Sequence, residues 1–487
     1  LSELIPAGGG QNNTDFVASG TLPNGKAVIL NSNGTVTAVG ESSISESIPA
    51  GSAYTFDAGS SNWTGTSFDP NNAGKFVLAY PNLSNSEYGT AIVGTVSGTT
   101  ISFGSEYVFN AANSLAFSVF FDPNTSGMFV IAFWSSGAGD TLAAVVGTIS
   151  GTTLTFGTKA QFNSTYSMEM AGAFDPNTAG KFVITYQDQN NSNIGTCIVG
   201  TVSGTSLSYS TTYVFTSTAA NNARSISFDP NTSGQFVLVH STQGGAAYGT
   251  AIIGTLSGTT ISYGTAAVFN STWSEQDRGA FDPSTAGKFV AAYRDAGDAN
   301  KAKCIVGTVS GTTISYGTSS TFYTTRVVDL LIDFDPAATG KFILVFTPNV
   351  SPFDGNLIVG TLSGATISYA SAITWSATST NAISQSFDPN SAGEFVIVYR
   401  DNTSPFAGKA ILGQMAATVT NLTATNLLGI ASAAISDTAT GTINTWGSRN
   451  EVQTSLTIGS DYYVQEDGTI TTASASPAQL IGEAITA

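Results

Sequence analysis

Between residues 168 and 209 apolar and polar positions alternate in short runs separated by turn residues. One apolar run ends at Phe174, the turn DPNTAG follows, KFVITY (181–186) alternates with period two, and TCIVGTVS and TSLSYS flank a Ser-Gly turn. This pattern predicts four short antiparallel strands. The Asp-Pro pair has a mechanical reading: proline presets φ for the second turn position, and the aspartate carboxylate accepts from a backbone N–H two residues on. Gly180, four residues after Pro176, is expected at positive φ, returning the chain to the next strand.

The same pattern recurs along most of the chain. FDPNNAGKF begins at Phe68, and its counterparts begin at Phe121, Phe174, Phe228, Phe281, Phe334 and Phe387, at spacings of 53, 53, 54, 53, 53 and 53 residues. A second motif of the GTVSGTT type travels with it, starting at 94, 147, 200, 254, 307 and 360. Seven copies of a four-stranded repeat of this length predict an all-β fold, a seven-bladed β-propeller whose ring abolishes exposed sheet edges. A solenoid is the alternative, although it would ordinarily carry distinct capping units. The seventh copy runs into KAILGQMAATVTN (409–421) without the second motif, and KAVILNSNGTVTAVG (26–40) reads as a spare hairpin. The ring is therefore expected to be closed by strands from both ends of the chain, with 26–40 pairing with the last blade and a deletion of 1–45 sharply lowering stability. The corresponding division is an N-terminal extension at 1–20, the propeller at 21–415 and a small β-rich module at 416–487. In that module LLGIA (427–431) and LIGEAI (480–485) echo each other and are expected side by side.

Composition narrows the partners. Among 487 residues, 15 Lys and Arg stand against 32 Asp and Glu, a formal net charge of −17, which disfavours nucleic acid and anionic membranes. No apolar run approaches the roughly 18–20 residues of a bilayer span, and LSELIPAGGG has no basic segment leading into an apolar one. Cys197 and Cys304 occupy equivalent positions two repeats apart, too far for a disulfide, and read as small buried residues.

The copies also vary against one another. The DPNTAG and SGTT turns, at one end of the strands, are nearly uniform. At the other end the second-to-third loops (PNLSNSEYG, STQGGAAYG, RDAGDANKA) and the crossovers between repeats (NSTYSMEM, NSTWSEQDR, YTTRVVDL) differ in every copy. A uniform frame carrying individually written loops is how rigid scaffolds present binding residues. Trp63, Trp134, Tyr166, Trp273 and Trp375 gather at the varied end, with Tyr80, Tyr186, Tyr293 and Tyr399 at strand ends leading into it. Aromatic platforms interleaved with polar groups suit sugar rings or protein surfaces. The tyrosines have a plainer reading as shared packing residues. The pairs Arg294-Asp295 and Arg400-Asp401 read either as local salt bridges or as ligand clamps.

Catalytic chemistry is thin. The single histidine, His240, stands where other repeats carry Tyr or Phe. Glu169, Glu275, Asp277, Asp329 and Asp333 lie near crossovers, where carboxylates of a propeller glycosidase would meet, but share no motif. Asp295 and Asp298 are weak Ca²⁺ ligand candidates, and no cofactor is expected.

NLLGIASAAISDTATGTINTWG, SLTIGSDYYVQEDGTITT and IGEAITA resemble the C-terminal segments of tail-fibre and other virion surface proteins of marine bacteriophages, and the GKFVITYQD and GTVSGTTISYGT units resemble propeller-like repeats in such proteins. The resemblance implies a non-enzymatic, extracellular, virion-attached adhesion or decoration protein. Its varied end would meet a host glycan or surface protein, with other virion proteins and further copies of itself as partners. A bacterial lectin-like adhesin and a propeller glycan hydrolase are the alternatives.

Overall fold

The computed structural model describes residues 12–483 except 50, 61–62, 137–140, 168, 222–224, 243–246, 404–405, 424, 446–447, 449–452, 454–455 and 475–477. The fold is all-β and antiparallel, and the helical segments among the described residues are the single turns Leu83–Asn85 and Gln189–Asn191. The chain divides into two compact units, residues 46–415 and residues 1–45 with 416–487.

In the larger unit each repeat is a run of antiparallel strands. In the third repeat Met170–Phe174, Lys181–Asp188, Ile194–Ser203 and Ser206–Asn221 pair in order. The fourth strand then continues into the next repeat, where Ala220 and Asn221 pair with Thr242 and Ser241. In every FDP turn the aspartate Oδ1 accepts from the N–H two residues on, at 2.9–3.0 Å. The glycine that ends the turn has φ between 63° and 77° in all seven copies. The second carboxylate oxygen reaches the neighbouring repeat. Asp122, Asp229 and Asp335 accept from the N–H of Gly180, Gly287 and Gly393 at 2.8 Å, and Asp388 of the seventh repeat accepts from Gly74 of the first at 2.7 Å. The first strands meet in the same way. Ser225 and Ser227 accept from the N–H of Gly279 and Phe281, while Ser384 and Ser386 accept from Thr66 and Phe68.

The leading glycine of each GTVSGTT motif answers to a ring. A Cβ on Gly200 would lie 1.9 Å from Cζ of Phe182, and Gly94, Gly147, Gly254, Gly307 and Gly360, with Gly413 at the equivalent place in the seventh repeat, meet the corresponding phenylalanine at 2.0–2.2 Å. Gly200→Ala is therefore expected to cost about 1–3 kcal/mol by overpacking two hydrogen-bonded strands. Gly204→Ala meets open space at φ +60° and carries only left-handed backbone strain of roughly 1 kcal/mol. Paired urea titrations check the order, and equal midpoints for the two variants would refute it.

The strand completing the seventh repeat is Tyr54–Ser60, paired with Ala407–Gln414. This corrects the expectation for 26–40. Ala27–Leu30 and Val36–Ala38 instead join Leu427–Ala431, Thr440–Thr445 and Asn13–Val17 in the smaller unit's five-stranded sheet. Val28, Val36, Ala431, Ile435 and Ile443 share its core, so the C-terminal module completes itself with N-terminal residues and the 1–20, 21–415, 416–487 division is redrawn. Leu427–Ala431 and Gln479–Glu483 lie in different sheets, the latter beside Asp461–Val464, so the echo between them does not mark a pair. Residues 1–11 and 484–487, part of the expected extension and of the final echo, lie outside the described residues.

Candidate functional site

Left-handed non-glycine residues occur in several second-to-third loops, such as Ser192 and Asn193, and also at crossovers between repeats. Five residues before the FDP phenylalanine, Trp63, Gln276 and Asp329 take left-handed conformations with φ of 59°, 58° and 51°. At the latter two the register slips, between Glu275 and Arg278 and between Val328 and Leu331. Such bulges redirect side chains, and non-glycine residues at positive φ cost of order 1 kcal/mol or more. All three of these residues line one cavity of about 810 Å³.

The cavity walls differ by repeat. Phe117 and Val119 of the second repeat and Met170 and Ala171 of the third supply apolar surface, to which the first repeat adds Trp63. Gln276 and Arg278 of the fifth, Asp329 and Asp333 of the sixth, and Asn381 and Gln385 of the seventh supply polar and charged groups, with Leu331, Ile332 and Ile383 between them. Arg278 donates from Nη1 to the Asp277 carbonyl at 2.8 Å. Asp333 precedes the FDP phenylalanine, where Ser227 and Ser386 hold the next repeat's N–H, and its carboxylate takes the equivalent N–H of Phe387. Burial pushes Asp333 up to about 7. The same residue also lines a second cavity of about 410 Å³, bordered by the seven FDP prolines.

Of the aromatic residues expected at an open platform, Trp63 is half-buried in the cavity wall and Trp273 is 53% exposed. Trp273 donates from Nε1 to Glu275 at 2.8 Å and stands across the strand pair from Tyr248, itself 40% exposed. Trp134 is buried edge-on to half-buried Tyr166 with centroids 5.0 Å apart, and Trp375 packs in the same way on Tyr399 at 4.9 Å. Tyr80, Tyr186, Tyr293 and Tyr399 are also buried, so their role is packing, and Trp134, Trp375, Tyr293 and Tyr399 are corrected from open ligand contacts to core residues. The physical reason is that fourth-strand side chains such as Phe162, Phe269 and Trp375 cover these strand ends.

The charged pairs resolve into local networks. Arg294, 2% exposed, pairs with Glu275. Lys303 lies 2.9 Å from Asp295 and 2.7 Å from Asp298, and Lys301 lies 3.0 Å from Asp298. A lysine ammonium thus occupies the position between carboxylates that a Ca²⁺ ion would need, which overturns the Ca²⁺ candidacy. Arg400 donates to Asn402 at 2.8 Å and lies over the Phe406 ring at 5.5 Å, while Asp401 pairs with Lys409. His240 is buried against Phe215 with its titration pushed down to about 4 by burial, and Cys197 and Cys304 are free, buried thiols pushed up to about 12.

Asp277 is fully buried where other repeats carry Phe117, Met170 and Leu330, and it accepts from the Ser274 hydroxyl. Burial pushes its carboxyl up to about 6. Because this lies above the unfolded value of about 3.9, the folded state holds the proton more tightly. The contribution to stability is most favourable below pH 4 and is lost as pH rises through 6. Asp277→Asn is expected to stabilise the fold by about 2–3 kcal/mol at pH 8 and to change little at pH 4. Melting curves at both pH values check this, and a pH-independent difference would contradict it.

Sequence reasoning singled out Trp63, Asp329 and Asp333 but not Gln276, Arg278, Asn381 or Gln385 as cavity residues. Their offset from the FDP phenylalanine was the available signal. No protein-family profile and no curated protein matches the sequence. Among solved structures, a protein of unknown function from Dyadobacter fermentans is similar at 12% identity over 77% of this chain and 99% of that one, with a TM-score of 0.46. Sqt1 from Chaetomium thermophilum is similar at 13% identity over 72% and 84%, with a TM-score of 0.43.

Proposed function

We propose that residues 46–415 form a seven-bladed propeller acting as a non-enzymatic binding module. It presents its varied end to a host glycan or surface protein, from a virion surface or another extracellular setting. The repeat-to-repeat contacts support the ring, since Asp388 takes the Gly74 N–H as Asp122 takes that of Gly180. The observation that carries binding is the cavity whose walls are built from residues the repeats do not share, on a frame whose turns they do. The virion setting, with other virion proteins and further copies as partners, rests on the sequence resemblance, and the acidic balance supports neither a nucleic-acid nor an anionic-membrane partner.

Binding of the purified chain to candidate host cells tests the proposal. Trp63→Ala and Trp273→Ala are expected to lower binding at least tenfold, while Thr178→Ala in a uniform turn is not. Equal binding by all three variants would remove the varied end from consideration. Presence in purified particles at fixed stoichiometry separates a virion protein from a bacterial adhesin. Asp329 and Asp333 in one cavity are what a hydrolase reading has to stand on, and release of reducing sugar abolished by Asp333→Asn would establish it.

A further inference from the structure

Resting on the binding reading, we propose that the 810 Å³ cavity is itself the ligand site and takes a neutral, hydroxyl-rich saccharide ring, with Trp63 on its apolar side and Gln385 on its polar side. The volume falls within the range of small-molecule sites. The two kinds of wall match the two aspects of a pyranose, whose C–H groups pack on aromatic and aliphatic surface while its hydroxyls point to the rim. The polar side is rich in acceptors. Asp329 and Asp333 contribute carboxyl groups, the latter also holding the Phe387 N–H, and Gln276, Asn381 and Gln385 each bring an amide that both donates and accepts, while the one guanidinium, Arg278, already donates to the Asp277 carbonyl. Such a wall suits a ligand that brings hydroxyl donors and opposes one that brings a carboxylate or sulfate.

Gln385 identifies the gripping group. Both its amide nitrogen and its amide oxygen are withdrawn from solvent and have no hydrogen-bond partner among the described residues, and the same holds for Asn381 Oδ1. A buried polar atom left unpaired destabilises the fold, because its lost hydration is not replaced. The frame does not need that cost. At the same place, two residues before the FDP phenylalanine, the other repeats carry Thr66, Val119, Gly172, Ile226, Gly279 and Ile332, and Thr66 is satisfied by the Val77 carbonyl at 3.0 Å. A glutamine here weakens the fold unless something occupies it. With no bond to break, its amide turns toward a ligand hydroxyl at no expense in internal hydrogen bonds, donating and accepting at once. Trp63, Gln276 and Asp329, at one offset in three repeats, bring left-handed backbone to the wall of the same cavity.

The test uses the full chain and ligand-observed NMR with methyl glycosides of glucose, galactose and mannose, beside glucuronate as the acidic probe. At least one neutral glycoside is expected to bind and glucuronate to bind at least tenfold more weakly. Trp63→Ala is expected to lower affinity tenfold or more. Gln385→Leu is expected to do the same while raising the melting temperature, a combination that misfolding does not produce. Undiminished glycoside binding by Gln385→Leu, or tighter binding of glucuronate, overturns the assignment. If no glycoside binds while cell attachment still depends on Trp273, the cavity assignment falls and the binding reading stands. If neither glycoside nor cell binds, both fall.

Discussion

A fragment spanning 46–415 is expected to fold and to denature at the same urea concentration as the larger unit within the full chain, whereas a fragment spanning 61–415 loses half or more of its stability. The first deletion removes only residues of the other compact unit. The second removes Tyr54–Ser60, the strand that pairs with Ala407–Gln414. With it goes Phe56, buried against Tyr80 and Phe103 at centroid distances of 5.1 and 6.0 Å. Loss of a buried phenylalanine alone costs about 3–5 kcal/mol, against total stabilities of roughly 5–15 kcal/mol for a folded domain. The newly open edge of Ala407–Gln414 adds unpaired N–H and C=O groups, so the shorter fragment is also expected to self-associate. Coincident urea midpoints for the two fragments would refute the role given to Tyr54–Ser60, and failure of 46–415 to fold would refute the independence of the larger unit.

The same strand shows how far the sequence could be read. The FDP turns were legible because their residues act through local mechanics: the carboxylate, the proline and the glycine each do within a few residues what their chemistry requires. Strand Tyr54–Ser60 carried a legible signal too. AYTFDA at 53–58 echoes EYVFNA at 106–111 and TYVFTS at 212–217, with Tyr54 one 53-residue period before Tyr107. The hairpin at 26–40 drew the assignment instead because it alternates well, and alternation says that a segment is a strand without saying which sheet receives it.

The cavity was less legible for a different reason. Its lining depends on a bulge at a crossover, and a register slip turns a side chain that periodicity assigns to one side of a strand toward another. The aromatic residues failed in the opposite direction. Trp134 and Trp375 have the composition of an exposed platform, but a side chain from the crossover or a neighbouring strand end packs against each, Tyr166 and Tyr399 respectively. Residue type and loop position predicted exposure, and long-range packing decided it. Trp273, with Tyr248 across from it, is the aromatic residue for which both agree.

Asp388→Ala is expected to cost about 3–5 kcal/mol, equal within error to Asp122→Ala, because each deletes an acceptor that serves two repeats. Asp388 is fully buried and holds the Asn390 N–H at 2.9 Å and the Gly74 N–H at 2.7 Å. Asp122 holds Asn124 and Gly180 in the same way at 2.9 and 2.8 Å. Each alanine strands the glycine N–H of the neighbouring repeat away from water and releases the N–H of its own turn. The two bonds between repeats differ chiefly in span: the partners are 314 residues apart for Asp388 and 58 for Asp122. In a closed ring both variants lose the same two backbone bonds and one side-chain bond of their own turn, from Thr125 Oγ1 to Asp122 and from Asn390 Nδ2 to Asp388. In an open array Asp388 has no neighbour to hold, so its alanine loses only the bonds of its own turn and is milder by about the value of one buried hydrogen bond, 1–3 kcal/mol. Urea denaturation of the two variants therefore reads ring closure directly. The contact spanning 314 residues is also expected to form after the local ones, because it closes the longest loop, so Asp388→Ala should act mainly by accelerating unfolding. A clearly milder Asp388→Ala would argue for an open array and against a propeller.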